Sequence, residues 1–266
     1  VLARQRHAYI LEHVRDEGAV RVADLARALD VSDMTIRRDL DQLQRQGFIE
    51  KVHGGAMLAS GSSLYEPGFD VKSGLQLAEK AAIAEAAAQL VRPGMAIAVS
   101  GGTTTHALAH QLVDVDGLTV VTNSMPVADV LYRSGRPSQT IIVTGGVRTP
   151  SDALVGPFAV SALRTIHVDL VFMGVHGMDR KSGFTTPNLL EAETDRALVE
   201  SARRLVVLAD HTKWGVVGIS SIARLDQADI LISDDELPRE ARDELESLVR
   251  ELIIVEPHPV SVETFA

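Results

Sequence analysis

The sequence predicts two domains: a small, mainly helical one carrying a β wing, then a larger α/β domain on a mostly parallel sheet. Three observations carry that expectation. Residues 1–58 read as helix, helix, tight turn, helix and hairpin. From Ala96 onward, short apolar runs alternate with helical stretches, the pattern of βαβ units. Between these textures, Ala59–Gly68 is small, polar and broken by Pro67 and Gly68, the composition of a linker. The expected division is 1–58, a connection over 59–71, and 72–266, which a chain of 266 residues accommodates.

Residues 3–17 form the first helix, with Ile10, Leu11 and Val14 on one face and Gly18 ending it. Ala19–Arg21 make a short strand. Val22, Leu25, Ala26 and Leu29 fall at i, i+3, i+4 and i+7, one face of a second helix. Asp30–Val31 turn the chain. Ser32 is an N-cap, because its hydroxyl can accept an orphan backbone N–H of the third helix. That helix buries Ile36, Leu40 and Leu43 and stops at Gly47. Phe48–Val52 and Ala56–Leu58 pair across His53-Gly54-Gly55 as a hairpin.

In the second domain, Lys72–Val91 is an alanine-rich helix ended by Pro93-Gly94. The expected strands are Ala96–Val99, Leu118–Thr122, Thr140–Thr144, Leu170–Val175, Leu205–Ala209, Ile230–Ser233 and Leu252–Val255. Most are apolar throughout, so both faces of the sheet should be covered by helices.

Composition narrows the function. The chain is 45% hydrophobic and 23% charged, which is ordinary for a soluble globular protein. It has no cysteine, which excludes a disulfide framework, thiolate metal sites and a cysteine nucleophile, and which fits a reducing cytosol. No apolar run approaches the roughly 18 residues of a membrane span. The start, charged from Arg4, lacks the apolar core of a signal peptide. A cytoplasmic protein is expected. The net charge of −10 is uneven: residues 1–59 are neutral, and the remainder carries all of it. Such a body repels nucleic acid; the head need not.

The head has the layout of a winged helix-turn-helix, with the helix-turn-helix over about residues 20–39. Its last helix carries Thr35, Arg37 and Arg38 off the buried stripe, and can enter a major groove N-terminal end first. An arginine fork suits the two adjacent acceptors of guanine. Ser32 and Thr35 suit phosphate oxygens. The wing offers Lys51 and His53, with Gly54 and Gly55 admitting close backbone approach. Arg4 and Arg6 of the first helix add backbone contacts. The competing reading, a self-paired Arg37-Arg38-Asp39 surface, is opposed by the cap, the short preceding helix and the Gly-Gly hairpin together. Double-stranded DNA is the expected partner.

In the body, Ala96–Val99 runs into Ser100-Gly101-Gly102-Thr103-Thr104-Thr105 and then a helix. A strand, a glycine turn and a helix N-terminus make an anion site, since backbone N–H groups and the positive end of the dipole converge there. Four other strand endings are small or polar: Thr122-Asn123-Ser124, Thr144-Gly145-Gly146, Gly174-Val175-His176-Gly177 and Asp210-His211-Thr212-Lys213. Each alone is ordinary loop chemistry; on one sheet they can face one crevice. Lys213 is the point charge for a phosphate or carboxylate. A dinucleotide finds no Gly-x-Gly-x-x-Gly here, and no acid at the next strand end. No cofactor is expected. His106 and His110 have chelating i, i+4 spacing, yet no Glu follows His106, so a packed or solvated face is favoured over metal. Glu191, Glu193 and Asp195 could act as bases, or could complement a helix dipole. No nucleophile–base pair stands out, so no catalytic residue is expected.

Val20–Arg38, followed by Asp39-Leu40 and then Val52-His53-Gly54-Gly55-Ala56, resembles the head of the DeoR-type bacterial transcription regulators. The specific parts are the Thr-Ile-Arg-Arg-Asp-Leu run and the His-Gly-Gly-Ala wing. Lys51 stands where that family usually has Arg, keeping a phosphate contact without the planar fork. The resemblance continues to about Asp235 through Gly101-Gly102-Thr103-Thr104, Val121-Thr122-Asn123-Ser124, Thr144-Gly145-Gly146, Val155-Gly156-Pro157, Gly183-Phe184-Thr185-Thr186-Pro187-Asn188 and Leu208-Ala209-Asp210-His211-Thr212-Lys213. It implies a Rossmann-like sensor domain, similar in fold to ribose-5-phosphate isomerase and the CoA-transferases. It further implies a repressor of a sugar or polyol operon; because a single neutral head has limited phosphate attraction, high affinity implies a homo-oligomer, a dimer or tetramer, on repeated half-sites. A phosphorylated sugar or polyol would sit in the cradle, held in part by Lys213. The alternative is a phosphosugar isomerase or CoA-transferase-like enzyme with a fused head. The isomerases carry paired acids in an Asp-Gly-Ala-Asp-Glu loop, and Gly174-Val175-His176-Gly177-Met178-Asp179 does not reproduce them. Ser100 stands where the regulators usually have Asp. A neutral, shorter side chain there implies a different effector or a different orientation of it.

Overall fold

A computed structural model describes residues 3–45, 48–52, 54–58 and 68–258, except for the side chains of residues 4, 8, 12, 15–17, 58, 70 and 71. The expected helix stop at Gly47, the wing residue His53, the side chain of Arg4 and most of the expected linker (59–67) therefore lie outside the described residues. The chain divides into two units, Val1–Leu75 and Gln76–Ala266.

The first unit runs α1 (Ala3–Glu17), β1 (Ala19–Arg21), α2 (Val22–Ala28), α3 (Asp33–Arg45), β2 (Ile49–Val52), β3 (Gly55–Leu58) and α4 (Phe69–Lys72). Gly18, at φ +74°, turns the chain out of α1. The three expected helical stripes meet in one core with Val20, Phe48, Ile49 and Ala56. β3 lies between β1 and β2, antiparallel to both. Gly55 is obligatory there: a Cβ would sit 2.0 Å from the Val20 carbonyl oxygen.

One buried charge fastens α3 to α1. Asp39 is 5% exposed. Both of its oxygens accept from Arg6, Nε at 2.7 Å and Nη2 at 3.0 Å, and Oδ1 also pairs with His7 Nε2 at 3.0 Å. The bidentate fork fixes direction as well as distance. On the same helix Asp41 pairs with Lys51 of the wing. That hydrogen bond, helped by the charges of Lys51, Arg45 and Arg37, holds the Asp41 carboxyl below its ordinary range.

The second unit runs α5 (Leu77–Ala88), β4 (Ala96–Val99), α6 (Thr103–Gln111), β5 (Thr119–Thr122), α7 (Met125–Arg133), β6 (Thr140–Val143), β7 (Val147–Arg148), β8 (Leu154–Val155), α8 (Pro157–Leu163), β9 (Val168–Gly174), β10 (Gly177–Asp179), β11 (Gly183–Thr186), α9 (Leu189–Glu200), β12 (Ala202–Leu208), β13 (Ser220–Ala223), β14 (Ile230–Asp234), α10 (Arg239–Leu248) and β15 (Leu252–Val255). The seven expected strands form one parallel sheet in the order β15-β14-β12-β9-β4-β5-β6. Their side chains alternate strictly. Ile97, Val99, Leu170, Phe172, Val206 and Leu208 pack with α5, α6 and α7, whereas Ala98, Val171, Met173, Leu205 and Val207 pack with α8, α9 and α10. A small antiparallel sheet, β10-β11-β13, and the hairpin β7-β8 were not foreseen. The long helix expected over Lys72–Val91 is interrupted: Lys72 ends α4, and Gln76, at φ +48°, precedes α5. Ser73 and Gly74 favour turns over helix, which accounts for the break.

Removing the Asp39 carboxylate leaves a largely buried guanidinium without its counter-charge. Asp39→Ala is therefore expected to destabilise the first unit by about 3 kcal/mol, the low end for a buried pair because Arg6 retains some exposure. Hydrogen exchange of the α1 and α3 amides should accelerate at least tenfold. Arg6→Met with Asp39→Leu, which removes both charges, should recover most of the protection; unchanged exchange in Asp39→Ala would contradict the fastening.

Candidate functional site

The outward face of α3 is the first candidate. Ser32 caps the helix: its Oγ accepts from the Thr35 amide at 3.2 Å and lies 3.0 Å from Thr35 Oγ1. Arg37 and Arg38 are exposed, and among the described residues neither makes a side-chain hydrogen bond or salt bridge. The self-paired alternative therefore fails, since Asp39 faces inward to Arg6. Three expected contacts change role. Arg6 is committed to Asp39, with its side chain 13% exposed. Lys51 is paired with Asp41. Gly55 is buried against β1, which leaves Gly54, exposed at φ +82°, as the glycine at the wing tip.

The second candidate lies at the carboxyl end of the parallel sheet. Chain order reverses between β4 and β9: from β4 the strands run outward to β5 and β6 on one side, and to β12, β14 and β15 beyond β9 on the other. At such a switch point the two following connections part, and a crevice opens between them. Gly101 and Gly102 leave β4 there, opposite Gly174 at the end of β9. The Gly102 Cα stands 3.9 Å from where a Cβ on Gly174 would lie, so the two turns meet at van der Waals distance, and Gly102 itself takes a φ of +152°. The first helical bond of α6 runs from the His106 amide to the Gly102 carbonyl, so the amides before it are helix-terminal donors.

Several predicted side chains turn out to build the crevice instead of facing it. Ser100 is fully buried; its Oγ accepts from the Gly174 amide at 3.0 Å and ties β4 to β9. Thr122 is buried too, donating to the Val99 carbonyl at 2.7 Å and accepting from the Ser124 amide. Thr104 and Thr105 are buried, and Thr105 Oγ1 donates to the Gly102 carbonyl at 3.0 Å. A Cβ on Gly177 would strike the Val216 carbonyl at 2.1 Å, and one on Gly146 the Val155 carbonyl at 2.5 Å. Those two glycines accommodate backbone rather than ligand. The β7-β8 hairpin covers this side: Ala153 meets Gly101, the Leu154 amide donates to Asn123 O, and Val155 meets Gly146.

Gly101, Gly102, Thr103, Asn123, Gly145, Gly174, His176 and Lys213 remain at the strand ends. Asn123 is 1% exposed. Its Oδ1 accepts from the Gly101 amide at 2.9 Å, while its Nδ2 has no hydrogen-bond partner among the described residues. A buried amide donor without a partner is costly.

At the end of β12 sits a charged cluster that the sequence reading reached only through Lys213. Asp210 is fully buried; its Oδ1 accepts from the Thr212 amide at 3.1 Å and from the Thr212 hydroxyl, and Lys213 Nζ lies 3.9 Å from Oδ2. Burial pushes the Asp210 carboxyl up, but Lys213, Lys80 and the Thr212 hydroxyl together hold it below its ordinary value. Lys80 is a buried lysine on α5. Its signal was legible: positions 80, 83, 84 and 87 are one helical face, otherwise Ile-Ala-Ala. His211 lies between two acids, with Nδ1 2.7 Å from Asp234 and Nε2 3.2 Å from Glu236. The Asp234 hydrogen bond raises its pKa above 6.5.

Several catalytic candidates have structural partners: Glu191 accepts from the buried Thr186 hydroxyl at 3.3 Å. Asp179 accepts from the Lys181 and Ser182 amides, an acid that holds a turn. Both nitrogens of His211 face carboxylates, and the Asp234 hydrogen bond favours the protonated ring, so both nitrogens are engaged within the protein. His106 and His110 stack edge to face, and among the described residues no group of three metal-binding side chains occurs. No described helix is long and apolar enough to cross a membrane.

A folded-state pKa raised for His211 stabilises the second unit fully below the unfolded value near 6.5, and the contribution is lost as pH rises through the folded value. The melting temperature of the chain should therefore fall as pH rises above about 6.5. His211→Gln should flatten that slope; an identical slope in the variant would show that His211 is not its source.

Comparison with known proteins identifies the family of both units. Residues 6–61 match the DeoR-like helix-turn-helix domain, and residues 75–235 match the DeoR C-terminal sensor domain. The uncharacterized HTH-type transcriptional regulator YgbI of Escherichia coli K12 is 38% identical over 89% of this chain and 92% of its own. The glycerol-3-phosphate regulon repressor of the same organism is 34% identical over 84% and 88%. Among solved structures, ribose 5-phosphate isomerase A of Methanocaldococcus jannaschii aligns at 16% identity over 51% of this chain and 53% of that one, with a TM-score of 0.38, too slight a likeness to argue from. With both domain models matched in order along the sequence and relatives of this length at 34% and 38% identity, the chain is a member of the DeoR family of DNA-binding transcriptional regulators.

Proposed function

We propose that this regulator represses a sugar or polyol operon and is released by a phosphorylated metabolite bound at the switch point between β4 and β9. The observation that carries the sensing half is the cradle itself: the helix-terminal amides that follow the glycine turn, beside the buried Asn123 Nδ2, which has no partner among the described residues. Gly101, Gly102, Thr103, Asn123, Gly145, Gly174, His176 and Lys213 would hold the ligand, with Lys80 behind Lys213. A phosphate suits this set, because helix-terminal amides and a lysine together favour a compact anion. The glycerol-3-phosphate regulon repressor among the relatives is in keeping with that class.

Arg37, Arg38, Thr35 and Ser32 would read and grip operator DNA, with Gly54 and His53 at the wing. One neutral head gathers little phosphate attraction, so a dimer or tetramer on repeated half-sites is part of the proposal. The ligand must bind the DNA-competent and incompetent arrangements unequally, or nothing switches. Lys80 gives that coupling a starting point: it joins the Asp210 cluster to α5, the first helix of the second unit. The protein would bind its metabolite in the cytoplasm and leave it chemically unchanged; the absent acid pair near His176 and the occupied His211 ring support that over isomerase or transferase chemistry.

A thermal-shift panel of phosphorylated sugars and polyols tests the sensing half: one member should raise the melting temperature by mass action, and its unphosphorylated parent should not. A flat panel, or turnover of the ligand, would overturn it. Lys213→Ala should blunt that shift while leaving DNA affinity intact. Arg38→Ala should cost roughly 1–3 kcal/mol in specific binding and relax preference at one base pair, measured by competition among variant duplexes. A uniform loss across all sequences would make Arg38 a phosphate contact instead.

A further inference from the structure

The reading face of α3 holds a residue that none of the preceding assignments uses. Met34 is the second residue of the helix and is 61% exposed. At about 100° per residue, Arg38 lies about 40° and Arg37 about 60° from it around the axis. Ile36, Leu40 and Leu43, which face the core, lie about 120–180° away. Met34 thus stands at the centre of the outward face, flanked by two arginines with no ion pair among the described residues, on the turn that enters a groove first. A single exposed apolar side chain means little by itself. The position of this one is what matters: an unbranched thioether between two guanidinium forks, on a helix whose other outward side chains are polar.

In the major groove the apolar landmark is the C5-methyl of thymine, and an apolar side chain recognises it by contact. Methionine is suited to that contact, being flexible and polarisable. We propose that Met34 is a specificity-determining residue that packs on the methyl of a thymine adjacent to the guanine read by Arg37 or Arg38. Each operator half-site then carries thymine beside guanine. 5-Methylcytosine can replace that thymine at the contact, and uracil cannot. This assignment rests on α3 entering the major groove.

The test uses the full chain and a duplex selected with it from a random-sequence library. Each thymine of the half-site is replaced in turn by deoxyuridine, which removes one methyl group and alters no hydrogen-bonding edge. Binding is followed by fluorescence anisotropy for the wild type and for Met34→Ala. At one thymine next to a guanine, the wild type should lose threefold or more in affinity. Met34→Ala, with an unchanged melting temperature, should show no loss there. Placing 5-methylcytosine opposite guanine at that position should bind the wild type better than unmethylated cytosine. Uracil tolerated at every position, equal losses in both proteins, or a selected half-site without thymine would each overturn the assignment alone. If no duplex is selected at all, the DNA-reading role of α3 falls, and this assignment with it.

Discussion

The gap between the ends of β4 and β9 is the constraint on which the second unit depends. Parallel strands carry their connections away in opposite directions from that point, so no element of the sheet itself can fill it. The chain spends small residues there. Gly101 makes room for Ala153 of the β7-β8 hairpin, Gly102 takes a φ of +152°, and Ser100 bonds the Gly174 amide across the gap. The glycine turn then delivers α6 with its first amides at the crevice, next to the Asn123 side chain. The alternating apolar strands beneath make that edge rigid, so the donors are held in place before any ligand arrives.

The first unit solves a different problem. Its reading helix is short and sits on a small core, so its rotation about its own axis is set by few contacts. Asp39 supplies the directional one, a bidentate bond to Arg6 with His7 alongside, while Asp41 and Lys51 tie the wing to the same helix. These pairs leave Arg37 and Arg38 facing outward. Asp39 is thus turned inward to α1, while Arg37 and Arg38 on the same helix stay exposed.

Much of this was legible in the sequence, because periodicity reports burial. The three stripes of the first unit and the seven strands of the sheet follow from spacing alone. What the sequence could not reveal is which polar groups are used internally. Arg6 looks like any exposed arginine until Asp39 is known to point inward. Ser100, Thr105 and Thr122 look like donors to a ligand until each is seen bonding the backbone, and Thr104 until it is seen to be buried. Lys80 was hidden in an alanine-rich stretch, although its place on the buried face of α5 marked it. The antiparallel β10-β11-β13 sheet went unseen because its strands are three or four residues long, and β10 and β11 carry glycine where the backbone is approached closely.

The central claim is that the crevice and the reading helix are two ends of one switch. The most direct measurement is the affinity of the full chain for its selected duplex, followed by anisotropy while a phosphorylated sugar that raises its melting temperature is titrated in. The account predicts that affinity falls as the crevice fills, with a midpoint matching the ligand's own binding curve, and that Lys213→Ala shifts that midpoint without changing affinity for DNA alone. Affinity that stays constant while the crevice is saturated would contradict it.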